Sequence, residues 1–111
     1  MQSIPVLTLT VRAAATLQPA RFVTHAGAVP TAGARVLGVT RSSAEAGDAV
    51  AVDVLGTTIV EAGASISSVG ALLETDAQGR AVPRNTGTAV AVALQTAPAA
   101  GHKIEALLLP N

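Results

Sequence analysis

The chain has 111 residues, no cysteine, a single aromatic residue (Phe22), and a net charge of zero from seven basic and seven acidic side chains. A chain of this length forms one domain with a modest core, and Ala and Val must fill that core because they supply most of the apolar content. The neutral charge and the presence of only one aromatic ring argue against nucleic-acid binding, which requires a basic surface or stacking side chains. The absence of cysteine excludes disulfides and thiolate metal sites.

The N-terminal sequence MQSIPVLTLTVR lacks the basic and long apolar regions of a signal peptide. No apolar run approaches the roughly 18 residues that a membrane-spanning helix requires. We therefore expect no membrane partner.

Short runs of apolar and β-branched residues predict strands along the whole chain. Residues 4–11, IPVLTLTV, alternate with the period of a half-buried strand, and Pro5 favours an edge because it has no N–H to donate. The later predicted strands are residues 21–24, 36–40, 49–55, 57–60, 81–83, 89–94 and 103–109, with short extended pieces within 66–73. Short helical turns are plausible only at residues 12–20 and 42–46.

Glycine and proline separate these runs at intervals typical of an all-β protein. Gly38 lies inside a predicted strand and indicates a bulge or a close backbone neighbour, and Gly56 is expected to break one strand from the next. Residues 75–80, TDAQGR, have the Asp and Gly preferences of a hairpin turn. The fold class is therefore a small β-sandwich or barrel of short antiparallel strands. We expect residues 1–20 to form an N-terminal arm or edge strand, and residues 21–111 to form a single β domain.

The chain also contains the same strand–turn–strand pattern twice. Aligning the two halves on Gly47 and Gly101 makes four further pairs coincide: Val36 with Val90, Ala46 with Ala100, Val50 with Ile104, and Leu55 with Leu109. One interpretation is a duplicated unit whose two copies pair to close one barrel, and the other is chance similarity in an Ala/Val/Gly-rich chain. In either case the glycine is expected to supply an unusual backbone conformation, and the strand after it to supply the core.

No arrangement of residues predicts catalysis or metal binding. His25 and His102 lie in Gly/Ala loops without a nearby nucleophile, so we expect both at the surface. Of the acidic residues near regular structure, Asp53 alternates with valines and is expected to face solvent or an interface, and Glu61 has no evident partner. A biotinyl- or lipoyl-type carrier is disfavoured because Lys103, the only lysine, does not lie at a hairpin tip beside a methionine. We therefore expect no enzyme activity, no cofactor and no metal.

Five segments in a fixed order resemble the small head-decoration, or capsid-cement, proteins of tailed bacteriophages. The resemblance covers most of the chain and is weakest over the first forty residues and at SISSVG, where relatives more often have Ala-Gly. The matching segments are GV at residues 38–39, GDAVAV at 47–52, VEAGASI at 60–66, TDAQGRAV at 75–82, and APAAGHKIEALLL at 97–109.

The resemblance implies a β-sandwich or barrel that binds the outside of an assembled head, has the major capsid protein as its partner, and forms a trimer or dimer. It implies stabilisation of the shell without a chemical reaction. The alternative is a phage or cell-surface β module, such as a tail-fibre or carbohydrate-binding domain, which the lack of aromatic residues disfavours. The residues predicted to contact the capsid or another partner are Ile4, Val6, Leu7, Leu9, Val11, Arg12, Arg21 and Phe22. For Phe22, simple core packing is the stronger interpretation, and for the two arginines, a solvated surface position.

Overall fold

The computed structural model describes residues 3–111, which form eight strands and no helix. The all-β prediction is therefore confirmed. The strands pair antiparallel in the order β2-β3-β4-β8-β7-β5-β6, with β1 paired to β4 outside this path, and the sheet nearly closes into a barrel. They are β1 (Pro5–Arg12), β2 (Phe22–Val23), β3 (Gly38–Thr40), β4 (Ala49–Glu61), β5 (Leu72–Thr75), β6 (Ala81–Pro83), β7 (Ala91–Ala93) and β8 (Lys103–Leu108).

Strand β4 is the longest strand and connects two groups of strands. Its first part, residues 49–56, pairs with β1, and part of it also pairs with β3, whereas residues 57–61 pair with β8. The prediction that Gly56 ends a strand is wrong. Gly56 has a φ of 95°, which bends β4 without interrupting it, and thereby directs the two parts of the strand to different neighbours.

The two halves of the chain have the same pairing pattern, which supports the duplication. We call residues 5–56 the first unit and residues 57–109 the second unit. In both, an opening strand pairs with a closing strand (β1 with the start of β4, and the end of β4 with β8), and the closing strand also pairs with an inner strand (β3 or β7). A short strand then flanks the inner one (β2 or β5). The hairpin strand β6 belongs to the second unit alone.

The predicted glycine corner is the clearest repeated feature. Gly47 and Gly101 have φ values of 90° and 93°, and their amides donate to the carbonyl oxygens of Ala13 and Ala62, each at 2.8 Å. These bonds attach each corner to the residue that follows its opening strand. Of the predicted correspondences, the Val36–Val90 pair is displaced by one residue. It is Leu37 whose amide matches that of Val90, since the two donate to the equivalent carbonyls of Val23 and Leu73.

Each unit contains its own small core, built from residues at equivalent positions. The first core comprises Ala13, Leu17, Val23, Ala44, Val50 and Val52. The matching residues of the second core are Ala62, Ile66, Leu73, Ala97, Ile104 and Ala106. All twelve are 9% exposed or less, so many small side chains replace the few large ones of an ordinary core.

The helical turns considered plausible at residues 12–20 and 42–46 are not formed. Instead, Leu17 and Ala44 pair in an isolated antiparallel bridge, with backbone N–H to O distances of 2.8 and 3.0 Å. Ile66 and Ala97 form the equivalent bridge in the second unit. Burial of these four side chains favours the extended pairing over the helix propensity of the neighbouring alanines.

Candidate docking surface

Strand β1 presents a run of apolar side chains to solvent. Ile4 is 58% exposed, Val6 77%, Leu7 41% and Leu9 40%. Within residues 3–111, β1 pairs only with β4, so its other edge has no neighbouring strand. Apolar side chains beside an open strand edge are a typical surface for pairing with another chain.

This edge is held in place by the rest of the unit. Ile4 and Thr57 exchange two backbone hydrogen bonds of 3.1 Å, and the Thr57 hydroxyl oxygen accepts a further one from the Ile4 amide at 2.9 Å. The pairing with β4 shifts register on both sides of Leu7, opposite the bend at Gly56. The bulge twists the start of β1 and turns Val6 and Leu7 away from the first core.

Asp53 connects β1 to both parts of β4. Its carboxylate accepts hydrogen bonds from the Thr8 hydroxyl at 3.0 Å, the Thr58 hydroxyl at 2.8 Å, and Arg41 Nη1 at 2.9 and 3.2 Å. The prediction that Asp53 faces solvent or an interface is wrong, because the residue is only 1% exposed. Thr8, Arg41 and Thr58 surround the carboxylate, and their hydrogen bonds compensate for the lost hydration.

Three of the other four predicted contact residues, Val11, Arg21 and Phe22, lie in less accessible positions than Ile4, Val6, Leu7 and Leu9. Val11 is half-buried against the first core, and Phe22 is 1% exposed, as expected for core packing. Arg21 is half-buried and forms an ion pair with Glu61 at 3.2 Å, so its charge is already matched within the chain. Arg12 is exposed at the end of β1, and its Nη1 donates to the Gly47 carbonyl oxygen at 2.6 Å.

Elsewhere in residues 3–111, the polar groups around Asp53 line a cavity. This cavity of about 320 Å³ lies beside the Asp53 cluster, and its lining includes Arg41, Thr58 and Lys103. Among the residues described, no three His, Asp or Glu side chains are close enough to share a metal ion. The two histidines are exposed, as predicted. Residues 3–111 contain no helix long and apolar enough to cross a membrane.

A second exposed apolar group was not predicted from the sequence. Leu72, Leu94 and Leu107 are 44, 37 and 40% exposed, and they lie on or beside β5, β7 and β8 of the second unit. The signal was present in β8, whose alternation places Leu107 with Lys103 and Glu105 instead of with the buried Ile104. A group of exposed apolar side chains on neighbouring strands marks a candidate interaction surface.

The profile of a protein family described as phage cement protein matches residues 1–108. The chain belongs to the phage cement protein family. Its fold is similar to that of the head fiber gp8.5 N base in bacteriophage phi29, with a TM-score of 0.76 over 93% of each chain and 22% sequence identity. None of the curated protein sequences matches this cement protein.

Family membership confirms the function predicted from the sequence, which is decoration of a phage capsid, and the predicted location in the virion. It favours this function over the alternative of a tail-fibre or carbohydrate-binding module. The family is one of structural phage proteins, and the cement protein associates with the phage head.

Proposed function

We propose that this cement protein binds the outer surface of the assembled head through the exposed edge of β1, that the major capsid protein is its partner, and that it acts as a homo-oligomer without catalysing a reaction. The observation that carries this proposal is the run of exposed apolar residues on a strand with one open edge. The contact surface consists of Ile4, Val6, Leu7 and Leu9, with Arg12 at its end.

The edge suits recognition of another folded protein. An added strand satisfies the free backbone groups of β1, and the apolar side chains pack into the partner's surface. Burying four such side chains removes apolar area worth about 25 cal/mol per Å² from water. The exposed guanidinium of Arg12 is close enough to the edge to pair with a carboxylate of the partner.

Stabilisation follows if the surface recognised exists only after assembly. A ligand that binds the shell and not its free subunits stabilises the shell by RT ln(1 + [L]/Kd), which is about 2.7 kcal/mol per site at a hundredfold excess over Kd. Several contacts made by one oligomer add to this effect across the particle. Such a mechanism depends on binding alone and needs no chemical step at the site.

The test is co-sedimentation of the purified protein with shells that lack it, comparing Val6→Asp with the matched control Val29→Asp. Val29 is also an exposed valine, but it lies in the loop between β2 and β3. Because Val6 contributes about 1.5–3 kcal/mol if it is buried in the contact, we expect Val6→Asp to weaken binding by roughly tenfold or more. The control should bind like the wild type.

Equal binding by both variants would exclude β1 as the contact. A second measurement addresses the mechanism, since the wild type should raise the temperature at which shells rupture and should not bind unassembled capsid subunits. Equal affinity for subunits and shells would contradict the linkage argument.

A further inference from the structure

The two units differ in how far their side chains are buried on the outward side of the sheet, which is the side that faces away from each unit's own core. In the first unit, a row across the strands consists of Phe22, Val39 and Asp53, which are paired in that order and are all 1% exposed or less. The matching row of the second unit is Leu72, Val92 and Leu107, in the same register. Here both leucines are at least 40% exposed and Val92 is partly exposed.

Two residues of the first row, Phe22 and Val39, are buried because the second unit covers them. Phe22 and Val39 belong to one continuous buried cluster with the core residues of the second unit, including Val60, Val90 and Leu108. Backbone bonds reinforce this contact, since the Phe22 amide donates to the Gly79 carbonyl oxygen and the Glu61 amide to that of Ala20. The outward row of one unit therefore completes the core of the next.

The core of the first unit lacks this cover. Its residues at the positions of Val60, Val90 and Leu108 are Val11, Leu37 and Val54. All three are only partly buried, although their counterparts are at most 6% exposed. The chain thus presents an uncovered core side on its first unit and an uncovered outward row on its second unit.

We propose that a second copy of this chain occupies these surfaces, so that Leu72, Val92 and Leu107 of one copy cover Val11, Leu37 and Val54 of the next. The contact would repeat between copies the packing that already joins the two units within each copy. The occupant is argued from this internal contact, in which a row of the same position and register covers the equivalent core side. A capsid protein would have to match both surfaces without that relationship.

Such a contact is head-to-tail, because it joins two different surfaces. Repetition of a head-to-tail contact gives a closed ring if the rotation between copies closes, and an open filament if it does not. The inference extends the proposed homo-oligomer by naming its two faces, and it rests on that part of the proposed function. The proposed capsid contact is centred on the other end of β1, at Ile4, Val6 and Leu7, and meets this face only at Leu9 and Arg12, which flank Val11.

The experiment measures the association state of the full chain by sedimentation velocity, using Leu107→Asp and Val11→Asp. Each substitution places a charge in one face and leaves the other face intact. We expect the wild type to associate, and each variant alone to associate about a hundredfold more weakly, because an unpaired charge would be buried. A 1:1 mixture should recover association but stop at a dimer, formed by the intact Leu107 of one variant on the intact Val11 of the other.

The outcomes separate this inference from capsid binding. A wild type that remains monomeric up to about 100 µM, or a Val11→Asp variant that associates like the wild type, would overturn head-to-tail packing. If Leu107→Asp associates like the wild type but no longer binds shells, the face that contains Leu107 contacts the capsid protein. That result would also overturn head-to-tail packing. If Val11→Asp loses its β-sheet circular dichroism, Val11→Ala and Leu37→Ala replace it, and both should weaken association. Val6→Asp should associate normally, so a loss of shell binding there bears on the proposed function alone.

Discussion

Replacing Asp53 by alanine tests whether the buried carboxylate fixes β1 and the two parts of β4 together. The substitution removes the acceptor of two hydroxyl hydrogen bonds and of the Arg41 contacts. Hydrogen bonds to a charged group contribute about 1.5–3 kcal/mol each, and both hydroxyls donate to the carboxylate. Arg41 is 45% exposed and regains hydration when it is released, so we count little for the ion pair, take the lower end for the two hydroxyl bonds, and expect a loss of about 3 kcal/mol.

For a domain of this size, that loss corresponds to a fall in Tm of about 12 °C. The assay is thermal and urea unfolding followed by far-ultraviolet circular dichroism, because the chain has no tryptophan or tyrosine to report by fluorescence. Glu45→Ala is the control, since its exposed carboxylate forms no hydrogen bond or ion pair within residues 3–111, and it should change stability by less than about 0.5 kcal/mol. A loss of stability for Asp53→Ala no larger than that of the control would refute the role of Asp53 in fixing β1 to the two parts of β4.

Two further pairs of substitutions test the repeated architecture. Gly38→Ala should prevent normal pairing of β3 with β4, because a Cβ there would collide with the Asp53 carbonyl oxygen. Gly47→Ala should cost only about 1 kcal/mol for its positive φ, because its Cβ would meet no other atom. Similar urea midpoints for the two variants would contradict this difference. Leu17→Ala and Ile66→Ala remove equivalent core side chains, so each should cost about 2–5 kcal/mol; a large effect at one and none at the other, by the same unfolding assay, would argue against two equivalent cores.

The sequence predicted most of the strands because their signals are local. The alternation in β1 and β8 and the Asp-Gly hairpin before β6 each depend on a few neighbouring residues, and all three were placed within two residues of their ends. The corner glycines were identified for the same reason. The failures concern long-range packing. Asp53 has the alternation of a solvent-facing residue, but it is buried among Thr8, Arg41 and Thr58, which the folding of β1 and the bend of β4 bring to it.

The candidate surface was predictable to a similar extent. Its position on β1 followed from an apolar strand with Pro5 at the start, but the accessibility of individual side chains depended on what packs beside them. Phe22 is hidden because the second unit covers its strand, and the equivalent Leu72 is exposed because nothing within residues 3–111 covers it. No local pattern distinguishes these two positions, since both precede a fully buried residue in a short strand.

The exposed apolar residues lie on paired strands instead of on flexible loops, and this placement favours binding. A side chain on a loop loses conformational freedom when it binds, and the ordering costs about 0.5–1.5 kcal/mol for each mobile side chain. Ile4 and Leu7 are already positioned by β4, and Leu107 lies in a strand paired on both sides. A core of small residues gives the protein little excess stability, but the rigid sheet allows most of the energy of each apolar contact to appear as affinity. For a cement protein that binds many equivalent sites on one particle, this low entropic cost of each contact contributes more to function than a larger core would.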